Sequence, residues 1–153
     1  MTRSRTTLLQ LLCVALLFMG ALPEAKAEGL AAPEAELKAA IMINMLLFID
    51  WPTQTGTISN QLRICYLDDN AVASALTRAD GKKIRNRTVR VQQKNLAGLH
   101  NCDAVYLAPE NATQFPGILS TLGELPVLLI GDSPAYFRRG IMLNLDRSAD
   151  RIV

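Results

Sequence analysis

The chain has 153 residues, half of them hydrophobic, with 16 lysines and arginines against 14 aspartates and glutamates. That length and apolar share suit one small domain with a real core, and exclude a disordered or low-complexity chain. A near-neutral balance with no basic run gives no electrostatic case for nucleic acid or an anionic membrane surface.

Residues 1–27 read as an export signal. Arg3 and Arg5 open it, Leu8 to Met19 is apolar except for Gln10, and Ala25-Lys26-Ala27 offers a small-x-small cleavage site after Ala27. The apolar stretch falls short of the roughly 20 residues that a membrane span needs. The expected organisation is therefore a signal peptide over 1–27 and a single domain over 28–153. Removing the signal leaves 13 basic and 13 acidic residues.

Glu34 to Asp50 is expected to be a helix, ended by Trp51-Pro52 because proline disfavours helix at the residue before it. Between Lys38 and Asp50 only Asn44 is polar, so a helical wheel shows apolar residues all round. Such a helix must be covered on more than one side. It is either wholly buried in its own domain or offers one side to a partner, with Met42, Met45, Leu46 and Ile49 as candidate contact residues.

After a turn-rich connector, strand and helix patterns alternate. Leu62 to Leu67 is an apolar strand ending in Asp68-Asp69-Asn70, which makes a helix N-cap for Ala71 to Arg78. Gly81 breaks that helix. Further strands are expected at Thr88 to Gln92, Ala104 to Ala108, Pro126 to Ile130 and Ile141 to Leu145. A turn at Leu96 to Leu99, a helix at Thr113 to Leu122 and a helical turn from Ser133 to Phe137 lie between them. Strands apolar on both faces and separated by helices indicate an α/β domain with a largely parallel sheet covered on both sides. Ligands of such folds sit beyond the strand carboxyl ends, so Asp68, Asp69, Asp132 and Ser133 are candidate ligand-binding residues. Acidic caps after strands are common without any ligand.

Cys65 and Cys102 are the cysteines left after the signal. An even count in an exported chain favours a disulfide over two buried thiols. The bridge would close a loop of about 38 residues and stabilise by roughly 4 kcal/mol on the chain-entropy model. His100 is the only histidine, so neither a metal ligand set nor a Ser-His-Asp triad has its usual parts. No phosphate-binding glycine loop or nucleophile elbow is present. The residues point to no catalysis, no metal and no cofactor.

The ordered motifs resemble one family. Lys38-Ala39-Ala40 opening the apolar helix, Asn44, Phe48 and Trp51-Pro52 resemble the opening of the YfiR-type exported proteins. Cys65 ending LRIC, Gly81-Lys82-Lys83 before a strand, Cys102 before an apolar strand, PVLLIGD over 126–132, Phe137 and Gly140 follow in the family's order. Three departures stand out. Leu47 replaces a frequent lysine, Ile141 replaces the second glycine of a pair, and the chain stops at Val153 where the family adds a terminal helix. The resemblance implies a three-layer α/β/α sandwich with a largely parallel central sheet, here apparently truncated at its C-terminal end. It implies a periplasmic protein that represses an inner-membrane diguanylate cyclase through the cyclase's periplasmic sensory domain. An OmpA-like outer-membrane lipoprotein is implied as the protein that captures the repressor, and a homodimer is a further expectation. The alternative functions are a periplasmic small-ligand-binding sensory module and an envelope protein serving self-association.

Overall fold

A computed structural model describes residues 33–51, 60–137, 139–148 and 151–152. The expected signal peptide and its cleavage site, and nearly all of the connector after Trp51, lie outside these residues.

Helix α1 spans Glu34–Met45 and continues as a 3-10 turn over Leu46–Phe48. Glu34 and Glu36 in its first turn favour the start through the helix dipole. Strand β1, Gln61–Tyr66, leads into helix α2, Ala71–Thr77, where the Asn70 side chain accepts from the Ala73 amide at 2.8 Å. The expected cap is thus made by Asn70. A short hairpin follows, β2 at Lys83–Ile84 and β3 at Arg87–Gln93. Its first strand has too few residues to show an alternation, so periodicity does not reveal it. Beyond a 3-10 turn at Leu96–Asn101 come β4, Ala104–Leu107, and a second 3-10 turn at Pro109–Thr113. Helix α3, Phe115–Leu122, starts two residues later than the sequence suggested, with Pro116 in its first turn. The chain continues through β5, Leu128–Gly131, a turn at Pro134–Tyr136, and β6, Leu143–Asn144. Arg147–Ser148 (β7) and Arg151–Ile152 (β8) form a separate antiparallel pair.

The main sheet has the order β2-β3-β1-β4-β5-β6. Every pairing is parallel except β2 with β3. Alternation along the strands divides two cores. Leu62, Ile64, Tyr66, Val89, Ala104, Tyr106 and Ile130 pack with Ala39, Met42 and Leu46 of α1 and Val72, Ala73 and Leu76 of α2. Cys65, Leu67, Val105, Leu107 and Leu129 pack on the other face with Phe115, Ile118 and Leu122 of α3. This is the expected mixed α/β fold, a mostly parallel sheet with helices packed on it.

Two ties fasten β1 to the start of β4. Cys65 and Cys102 form a disulfide with Cα atoms 6.0 Å apart. On the same face, the Asp103 carboxylate accepts from the Arg63 amide at 2.7 Å and from its guanidinium at 3.2 Å.

Candidate functional site

From β1 the chain crosses to β3 on one side, and from β3 it returns past β1 to β4. The strand order therefore reverses at β1, and the crevice between the loops after β1 and β4 is where doubly wound sheets bind ligands. Side chains of this protein tie the edges of that crevice together, and an open groove of about 540 Å³ remains there, lined by Leu67, Asp68, Gln93, Asn95, Leu96 and Gln114.

The Asn111 amide, fully buried, donates to Asp68 at 2.6 Å while its oxygen accepts from the Ala108 amide at 2.9 Å. Asp132, 7% exposed, accepts from Lys38 of α1 at 2.5 Å and from the Tyr106 hydroxyl at 3.0 Å. Tyr106 in turn accepts from the Asn70 side chain at 3.4 Å, and Lys38 also pairs with Glu34 at 2.7 Å. A continuous chain Glu34–Lys38–Asp132–Tyr106–Asn70 thus links the start of α1 to β5, β4 and the cap of α2. Nearby, the Tyr136 hydroxyl donates to the Ala108 carbonyl.

Gly131 makes this closeness affordable. A Cβ there would lie 2.7 Å from both the Tyr136 ring and the Asn144 amide oxygen, the same oxygen that accepts from the Ser133 amide. Only glycine lets β5 end under that ring.

The electrostatics follow from burial and pairing. Burial alone would lower the Lys38 pKa, but its bonds to Asp132 and Glu34 outweigh that and raise it above the usual 10.5. Burial, with the Asp132 charge adding to it, pushes the Tyr106 phenol well above the ordinary tyrosine range. Tyr136 is raised by burial and by Glu110 and Asp132. Tyr66 is raised by burial and by Asp69 beside it.

Of the ligand-binding candidates, Asp132 is committed to Lys38 and Tyr106, and Asp68 to Asn111. Ser133 caps the following turn by accepting from Ala135 at 3.2 Å, and Asp69 stays exposed. Among the described residues, no buried side-chain nitrogen or oxygen lacks a partner. Also among them, no group of three or more His, Cys, Asp or Glu is placed to hold a metal, and no helix is long and apolar enough to cross a membrane. Sequence reasoning missed Lys38, Tyr106 and Asn111. The one available signal was a lone cation at the head of an otherwise apolar helix.

The partner-contact candidates need correction. Met42 and Leu46 are each 1% exposed and lie in the α1–α2 core, so they present no surface. Met45 and Ile49 are half-buried against the same core. The outward stripe is Leu37, Ala40, Asn44 and Phe48, spaced three and four residues apart along one side, with Phe48 83% exposed. Asn44, the one polar residue between Lys38 and Asp50, lies on this exposed side.

These features define a doubly wound α/β domain whose crevice carboxylates, Asp68 and Asp132, are held by its own side chains and whose first helix carries an apolar outer stripe. The chain belongs to the YfiR/HmsC-like family, whose sequence model matches residues 35–153. No curated protein matches it. Among solved structures, the pilus assembly protein CpaE from Caulobacter crescentus is similar over 59% of this chain and 84% of that chain. The identity is 14% and the TM-score 0.40, too low to bear on function.

Proposed function

We propose that this protein is an exported, non-catalytic regulator. It binds the periplasmic sensory domain of an inner-membrane diguanylate cyclase, holds the enzyme inactive and so lowers cyclic-di-GMP signalling. Membership of the YfiR/HmsC-like family over 35–153 carries the reading. The Cys65–Cys102 disulfide supports export, since such bridges persist in oxidising compartments. Binding through a surface is favoured over the ligand-sensor alternative because Asp68 and Asp132 already bond to Asn111 and Lys38; the groove of about 540 Å³ beside Asp68 is where a small ligand would sit under that alternative.

Repression by binding requires a higher affinity for the inactive state of the cyclase than for the active one. The outer stripe of α1 supplies the contact, with Leu37 45% exposed and Ala40 and Asn44 beside it. An OmpA-like lipoprotein competing for the same repressor would release the cyclase, and self-association through the stripe would do so too. The test is retention of the processed protein on the immobilised periplasmic domain of the cyclase. Leu37→Asp and Ala40→Asp should weaken retention while leaving the circular dichroism spectrum unchanged. Full retention by folded Leu37→Asp and Ala40→Asp variants would remove α1 as the contact. No retention of the parent protein would remove the assignment.

A further inference from the structure

The near-neutral total charge conceals a concentration. Residues 78–90 hold six cations, Arg78, Lys82, Lys83, Arg85, Arg87 and Arg90, against Asp80 alone, while the rest of the chain has ten cations and thirteen acids. Topology places this segment at one margin of the molecule, because β2 is the outermost strand and β3 its neighbour. Three of the six reach acids in exposed pairs: Arg78 with Glu36 at 2.6 Å, Arg85 with Asp50 at 3.6 Å and Arg90 with Asp80 at 3.3 Å. Such pairs are weak and leave the cations available. Lys82 and Lys83 are exposed and make no ion pair among the described residues.

Aromatic surface lies at the same margin. The end of α1 meets the β2–β3 turn in a cleft of about 190 Å³ whose walls include Ile49, Asp50, Trp51, Arg85 and Arg87. Phe48, the most exposed large apolar side chain among the described residues, stands one residue before that wall. Arg85 itself has a φ of 52°, a left-handed conformation that glycine or asparagine adopts more cheaply. A cation kept where the backbone disfavours it points to a use for the charge.

We propose that this margin, the β2–β3 edge with the end of α1, docks on an anionic phospholipid bilayer. Cations beside an exposed Phe48 and a half-buried Trp51 match the composition of interfacial docking surfaces, the charges meeting headgroups and the phenylalanine ring entering the layer below. An acidic protein surface would satisfy the cations but offers Phe48 no apolar layer behind the charges. Docking confines the protein to the membrane surface and raises its concentration near any membrane-embedded partner.

The experiment is co-sedimentation of the processed protein, recovered from the envelope fraction of expressing cells, with vesicles of phosphatidylglycerol and phosphatidylethanolamine. Phosphatidylcholine vesicles are the neutral control. Binding to the anionic vesicles alone, weakened by added salt, is expected. Lys82→Gln combined with Lys83→Gln should lower the partition coefficient about thirtyfold, and Phe48→Ser roughly tenfold. Both variants should keep the parent thermal midpoint, because these side chains are exposed. Three results would overturn the proposal: equal binding to neutral vesicles, no vesicle binding, or binding that the double lysine variant leaves intact. Salt-sensitive capture of an acidic protein without vesicle binding would also overturn it, and would assign the edge to a protein partner. Cyclase repression does not enter the readout, so the outcome stands apart from the proposed function.

Discussion

Replacing Lys38 by methionine should be among the most destabilising single changes in the domain, and should cost more than neutralising its partner. The substitution keeps the length of the aliphatic stem but removes the ammonium that holds Asp132 at 2.5 Å. Asp132, 7% exposed, is then left with the Tyr106 hydroxyl as its remaining donor. Breaking a buried pair from one side costs about 3–5 kcal/mol, because the surviving charge stays desolvated. The reverse substitution, Asp132→Asn, should cost less, about 1–3 kcal/mol. Lys38 keeps Glu34 at 2.7 Å, whose side chain is 42% exposed and so partly solvated. Urea unfolding of the parent and both variants at neutral pH, followed by circular dichroism, measures the two losses. A Lys38→Met deficit under about 0.5 kcal/mol, or a larger loss from Asp132→Asn, would refute the reasoning.

Other expectations follow from the same geometry. Cys65→Ser with Cys102→Ser should lower stability by about 2–5 kcal/mol, and thiol alkylation without reductant should label neither cysteine in the folded parent protein. Met42→Ala should cost about 2–5 kcal/mol in urea unfolding, whereas Leu37→Ala on the outer stripe should stay within about 1 kcal/mol. Alkaline conditions should destabilise the domain: the raised pKa values of Lys38, Tyr106 and Tyr136 mean that the native state binds more protons than the unfolded chain. That stability is complete below the unfolded values of 10.5 and 10.0 and lost as pH rises through the folded ones, which a falling thermal midpoint above about pH 10 would record.

Local signals in the sequence disclosed most of the architecture. Apolar runs such as Ala104–Leu107 and Leu128–Gly131 read as buried parallel strands because both of their faces meet a core. Asn70 was legible as a cap from its position, and Cys65 and Cys102 as a pair from their number. Long-range and directional features were not legible. Lys38 and Asp132 lie 94 residues apart, and only the packing of α1 across the sheet makes them partners. The helix was recognisable as over-apolar, yet a wheel with no polar face cannot say which side turns inward, so Met42 and Leu46 were assigned to the wrong side. The basic margin escaped notice for a related reason. Its cations alternate with Ile84, Thr88 and Val89, and net charge sums them with acids elsewhere on the fold.

The central claim, that the protein's output is inhibition of a membrane diguanylate cyclase by binding, is tested most directly by cellular cyclic-di-GMP in deletion strains. Deleting the gene should raise the nucleotide and promote attachment, and the rise should vanish when the partner cyclase is deleted as well. Unchanged cyclic-di-GMP in the single deletion, with both proteins well expressed in the parent, would contradict the repressor assignment.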